Sequence, residues 1–540
     1  MKKSLTVLVA LVMSLSLVLA ACGGGSKTSE DSKVLRLNLG SEPPTLHPGL
    51  ANDNIAHTIL TQTFEGLTRI GKDGKPHNAI AEKIEKSDDA TKYTITLRKD
   101  AKWSNGDPVT AKDFEYAWEW VLTPENEAKY AYQLYYIKNG EKYYNGEVGK
   151  EEVGIKATDD YTLEVELEQS TPFFEELLAF YTYYPINSKI AEKNPKWASD
   201  AGKNYTSNGP FVLDTWKHSD QLILKKNESY FDKDKVKLDE INFTMIGDAN
   251  TELNKFNSGE IDWAGTPNGN SIPSEAIKSL DKEGKLNIKP IAGVYWLKFN
   301  TEVKPFNNKK VRQALGYAIN RQDIIDNVLQ GGQQPAMANV PPTMIKDSEK
   351  GYFKDGDVKK AKQLLEEGLK EEGFTGVDDP NLPTFELAFN SEGDHKKLMQ
   401  AIQDVWSKEL GIKTELKNEE WKVYIEKLHS GNYQIGRMGW VGDFNDPINF
   451  LDQFKEKEGG NNDTKWENEE FKSLLDQSQT ELDHGKRLAL LKQADQIITD
   501  EMPIVPLYFY TNVYVKNDKL DGYFLTGLGA IDLKEAYFKK

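Results

Sequence analysis

The sequence predicts an α/β chain of two or three domains, and three observations carry that expectation. Period-two segments, the mark of half-buried strands, are interleaved with segments of helical spacing along the whole chain. Past residue 33 about 500 residues remain, more than one compact core accommodates. No apolar run after the N-terminus approaches the ~20 residues of a membrane-spanning helix, so the body is read as soluble.

The first element is a targeting device. Lys2 and Lys3 form a positive head, Leu5 to Leu19 an uncharged apolar run, and Leu19-Ala20-Ala21-Cys22 a small-residue cleavage site. That order reads as a signal peptide over residues 1–21. The only cysteine follows it directly, a pattern that resembles a bacterial lipobox, with Cys22 the residue to be cleaved and acylated. A thioether to lipid uses the single thiol, and two or three acyl chains suffice for stable anchoring to a membrane. Residues 22–33 are small and polar, a flexible tether. Val34 to Leu39 alternate as a first strand. Tyr93 to Leu97 and Leu163 to Leu167 alternate likewise. Phe114, Ala117, Trp118, Val121 and Leu122 share one helical face, with Thr110 and Asp113 spaced as a capping box. Val311 to Ile319 and Leu398 to Trp406 repeat the helical stripe. Tyrosines cluster at 130–136 and 181–184, and Trp296, Trp421 and Trp440 mark later segments; such residues suit an adaptable binding cleft and also ordinary core.

Loss of Lys2 and Lys3 takes the formal charge from −17 to −19. A body that acidic is a poor partner for nucleic acid, whose affinity comes from cations neutralising phosphates. The seven histidines form no zinc-ligand spacing, and neither a nucleophile elbow nor a phosphate loop appears. No cofactor or metal is expected. A pair of carboxylates for glycoside hydrolysis stays possible among 85 acidic residues.

Several strings resemble the peptide, dipeptide and nickel group of solute-binding proteins that serve ABC importers. They are Ala101 to Phe114 (AKWSNGDPVTAKDF), Phe64-Glu65-Gly66-Leu67, Ser207 to Phe211 and Ser258 to Asp262. The resemblance covers about residues 34–540. Trp421, His429 and the run Arg437 to Pro447 narrow it to oligopeptide-binding proteins. It implies a two-lobed periplasmic-binding-protein-like fold with an extra subdomain inserted in the first lobe. The implied partition gives the first lobe 34–71, 187–292 and 509–540, the insertion 72–186, and the second lobe 293–508. It also implies a monomeric, non-enzymatic receptor on the outer face of the membrane that delivers oligopeptides to a permease complex.

A binder indifferent to peptide sequence pairs with the constant backbone and fixes the constant ammonium. By the resemblance, Asp443 takes the ammonium with Tyr130 assisting. Backbone pairing maps onto Leu50, Ala51 and Asn52, onto Tyr295, Trp296, Leu297 and Lys298, and onto Gly439, Trp440 and Val441. Trp421 and Trp440 map onto side-chain pocket walls, and His395 and Arg437 onto groups near the peptide carboxylate. On local chemistry alone Asp443 reads as a turn residue and the tryptophans as core. The chain departs from the group at Leu428, where an arginine is usual, and near Val328-Leu329-Gln330, where a lysine is missing. Fewer cations there imply a looser requirement on peptide length. Alternatives are an oligosaccharide or a specific signalling peptide in the same fold, or a secreted hydrolase.

Overall fold

The computed structural model describes residues 33–391, 395–419, 421–458 and 461–540. The signal peptide, Cys22 and the tether up to Ser32 lie outside them. Among the described residues no helix is long and apolar enough to cross a membrane.

Each expected element is present. Val34–Asn38 pairs in parallel with Glu240–Thr244, and Gln221–Lys226 and Phe211–Lys217 complete a four-stranded sheet. Leu35, Leu37 and Phe243 point from it into the core with no exposure. A second four-stranded sheet runs in the order Ala81–Lys86, Lys92–Leu97, Thr162–Glu166, Ile155–Asp159, wholly antiparallel. The helix Ala111–Leu122 packs on it. Its capping box forms as spaced, with Asp113 accepting from the Thr110 N–H at 3.0 Å. The same carboxylate accepts from the Trp103 indole at 3.1 Å, which ties the Asn-Gly-Asp-Pro turn to the helix start.

The third sheet has seven strands, and two of them, Asn287–Phe299 and Ile504–Lys516, are 13 residues long. Asn287–Pro290 pairs with Thr511–Tyr514, and Val294–Lys298 pairs with Ile504–Phe509. Between Pro290 and Val294 the register shifts. From there on the two faces of the strand gather differently, Ala292, Val294 and Trp296 on one and Tyr295, Leu297 and Phe299 on the other. Tyr295, Leu297, Phe299 and the helix Lys309–Tyr317 form one apolar cluster, apart from the larger one that holds the first half of the chain. The molecule is thus two-lobed, with long strands running from lobe to lobe and the second four-stranded sheet as a subdomain added to the first lobe.

Candidate functional site

Between the lobes lies a cleft of about 910 Å³, a size suited to a small ligand. Asn52 and His57 line it from the first lobe, Tyr130 and Tyr181 from the inserted subdomain, and His395 and Asp443 from the second lobe.

Asp443 follows the strand Ile435–Val441 and is held by a short turn. Asn449 Oδ1 accepts from the Asp443 N–H at 3.0 Å and from the Trp440 indole at 2.9 Å, so one amide fixes both residues. The Tyr130 hydroxyl donates to Asp443 Oδ1 and Gln133 Nε2 to Oδ2, each at 3.2 Å. Burial pushes the Asp443 carboxyl up to about 6, against the opposing pull of bonds from Tyr130, Asn449 and Gln133. Burial also pushes the hydroxyls of Tyr130, Tyr132 and Tyr181 far above their ordinary value, with Asp443 adding to the rise in each. These rings therefore stand neutral around an anion that a ligand ammonium would relieve.

Next to Asp443 is a strand edge. Ile435–Val441 pairs along its length with Asn287–Phe299. On its other side Phe385–Asn390 reaches only Ile435 and Gly436. Beyond Arg437, whose carbonyl accepts from the Tyr424 hydroxyl at 2.5 Å, no strand of the described residues covers Met438–Val441. Gly439, Trp440 and Val441 thus offer a main-chain edge beside the carboxylate. Tyr510 lies under it: a Cβ at Gly439 would meet the Tyr510 hydroxyl, and one at Gly293 its ring.

The expectation that Tyr295, Trp296, Leu297 and Lys298 pair with a peptide backbone is corrected. Tyr295 faces Gly439 on one side and Tyr508 on the other, and the next three residues are likewise flanked by Met438–Gly436 and by Pro506–Ile504. A strand in mid-sheet has no edge left to share. Their side chains also have other work, since Lys298 Nζ donates to Asp463 Oδ2 at 2.6 Å inside the second lobe. Leu50 and Ala51 turn both N–H groups back to the His47 carbonyl at 3.0 Å, so only carbonyl groups and Asn52 remain for pairing there.

Nearer the start of the strand Ile435–Val441, Arg437 is 8% exposed. Its Nε donates to Asn390 Oδ1 at 2.6 Å, Nη2 donates to the same oxygen, and the guanidinium stands 5.6 Å from the ring centres of both Tyr295 and Trp421. Tyr295 Oη and His395 Nδ1 are 3.1 Å apart. The structure therefore places Trp421 and Tyr295 against Arg437, and His395 against Tyr295. Leu428, at the position of the missing arginine, is fully buried beside Tyr424 and Tyr433. His429 instead meets Asp463 at 2.7 Å.

Sequence reasoning missed Gln133, Asn449 and Tyr510. Gln133 stands in an otherwise aromatic and aliphatic run, a signal that was available. Asn449 and Tyr510 look like turn and strand residues until the sheet is assembled.

A cleft between two lobes, joined by strands and carrying a buried carboxylate beside an open strand edge, defines a solute-binding protein of the lobe-closing type. The chain belongs to the bacterial extracellular solute-binding proteins, family 5, whose middle-region model matches residues 75–462. It is 55% identical over 549 residues, all of both chains, to the oligopeptide-binding protein OppA of Bacillus subtilis. It is 38% identical to the dipeptide-binding protein DppE of the same organism, over 95% of this chain and 93% of that one. The structure of Listeria monocytogenes OppA bound to peptide matches with a TM-score of 0.79 at 33% identity, covering 95% of this chain and all of that one.

Proposed function

We propose that the protein is an extracytoplasmic receptor that closes on oligopeptides and delivers them to an ABC importer. The observation that carries this reading is the pairing of a buried carboxylate, Asp443, with the adjacent open edge Gly439–Val441. A peptide has the complement of both, an ammonium and a backbone that can add as a strand. In this reading Tyr130 assists at the amine, and Trp421 and Trp440 wall side-chain pockets. His395 and Arg437 face the carboxylate end. Asn52 with the Leu50 and Ala51 carbonyls pairs from the first lobe.

The relatives are named as binding proteins, which supports a receptor rather than an enzyme. We assign the lobes to 34–71, 187–292 and 509–540 and to 293–508, with 72–186 inserted; the register shift between Pro290 and Val294 supports the boundary near 292. Acylated Cys22 would anchor the monomeric receptor to the cell membrane. The aromatic walls would also suit an oligosaccharide, whose hydroxyls could donate to Asp443, but a neutral sugar brings no charge to offset that buried carboxylate as a peptide ammonium does.

Thermal melting and tryptophan fluorescence with tetrapeptides, free amino acids and cellobiose test the reading. A ligand at a hundredfold excess over Kd adds about 2.7 kcal/mol of stability. Tetrapeptides should raise the melting temperature and free amino acids should do little. A shift with cellobiose and none with peptides would overturn it.

A further inference from the structure

The inserted subdomain reaches Asp443 twice, through Tyr130 and through Gln133. Gln133 is 1% exposed and sits in the tight turn Ala131–Leu134. Its carbonyl accepts from the Tyr183 hydroxyl at 2.6 Å, and Tyr183 is itself fully buried with its ring edge-on to Trp118 at 5.1 Å. The turn is thus fixed from behind and aims the amide at the opposite lobe. There each carboxylate oxygen of Asp443 receives one neutral donor.

These bonds cross the surface on which the inserted subdomain meets the second lobe. Phe173 stacks on Phe444 across it, with ring centres 4.9 Å apart. The Tyr136 hydroxyl faces Asp452 at 3.5 Å. The Gln133 donor therefore reaches Asp443 only when the two bodies are together. Resting on the reading of Asp443 as the amine partner, we infer that Gln133 is a positioning residue coupling capture of the peptide amine to closure of the inserted subdomain.

The physical reason lies in the donor's charge. An ionised carboxylate has about four acceptor sites, and Tyr130 and Gln133 take one on each oxygen; with Asn449 also bonded to the group, room is left for one ammonium donor. A neutral amide favours the ionised form without cancelling its charge. A cation in its place would satisfy the carboxylate outright and compete with the ligand. The other groups facing Asp443 fit this division. Tyr130, Tyr132 and Tyr181 from the inserted subdomain are neutral, burial raises the Asp452 carboxyl on its own lobe to about 7 so that it is neutral through the acid limb, and Arg487 is taken up by Asp446 at 2.6 and 2.8 Å.

The test uses the full protein, tetra-alanine and N-acetyl-tetra-alanine, with calorimetry from about pH 4 to pH 8 and melting curves as the folding check. Gln133→Met removes the donor at similar size. At about pH 5, where the Asp443 carboxyl is protonated unless an ammonium faces it, the variant should weaken free tetra-alanine about tenfold or more, by the scale of a hydrogen bond to a charge, and the acetylated peptide distinctly less. Losing a bond to the ionised form should also move the acid limb of binding up by about one pH unit. Gln133→Lys is the second variant. Its built-in ammonium should erase the advantage of the free amine over the acetylated one. Equal losses for both peptides in the first variant, an unmoved acid limb, or full discrimination in a folded lysine variant would each reduce Gln133 to a packing residue. If the wild type binds both peptides alike, the amine reading itself fails, and the proposal falls with it.

Discussion

Asp443→Asn deletes the charge at the amine end of the cleft and keeps the shape. Its effect can be sized from the structure. Burial lifts the carboxyl from its ordinary 3.8 to about 6. At 1.36 kcal/mol per unit, holding it ionised in the closed, empty cleft costs roughly 3 kcal/mol. A ligand ammonium relieves that cost, so the variant should bind free-amine peptides on the order of 100-fold more weakly. The figure falls inside the 2–5 kcal/mol typical of breaking a buried charge pair. The asparagine has one acceptor where Tyr130 and Gln133 both donate, so one donor loses its partner. That second cost applies to every peptide and cancels in a cycle of two proteins and two ligands, free and N-acetylated. Calorimetry on the four combinations isolates the charge. The sign with pH follows. The carboxylate must be ionised to hold the ammonium, so affinity for free-amine peptides nears its full value above about pH 7 and falls as the pH drops through about 6. A coupling below about 1 kcal/mol, the range of an exposed ion pair, would refute the assignment of Asp443 to the amine.

Three further outcomes are expected. Gly439→Ala places a methyl against the Tyr510 hydroxyl and should weaken peptide binding by about 1–3 kcal/mol, with Tyr510→Phe in the same chain recovering part of it; calorimetry showing no loss in the single variant would refute the tight floor. Asp495 is fully buried and its carboxyl is raised to about 7, so its ionisation costs stability increasingly from about pH 4 upward, in full above about pH 7. Asp495→Asn keeps an acceptor for the Asn339 and Val340 amides at 3.0 and 3.1 Å, and should melt above the wild type at about pH 8 and level with it at about pH 4. Cys22→Ser should leave the body folded and release it into the medium; a variant that stays with washed membranes would refute acylation as the anchor.

What depends on neighbours along the chain was legible in the residues alone. Strand and helix periodicity placed Val34–Asn38, Lys92–Leu97, Thr162–Glu166 and Ala111–Leu122, because alternation and helical spacing report which face is buried whatever the partner. The Thr110–Asp113 cap was legible for the same reason: its two groups sit three residues apart. The resemblance strings pointed to the family as a whole, which the match over residues 75–462 bears out. Which surfaces remain free once strands have chosen partners emerges only from the folded chain. Tyr295–Lys298 and Gly439–Val441 read alike in sequence, yet the first lies between two strands and the second keeps an edge. Gln133 and Asp443 are 310 residues apart, and Trp440 meets Asn449 only because a turn folds back on its own strand. Sequence periodicity records that a residue is buried; the contact that buries it, and the hydrogen bond it spends there, arise from segments distant in the chain.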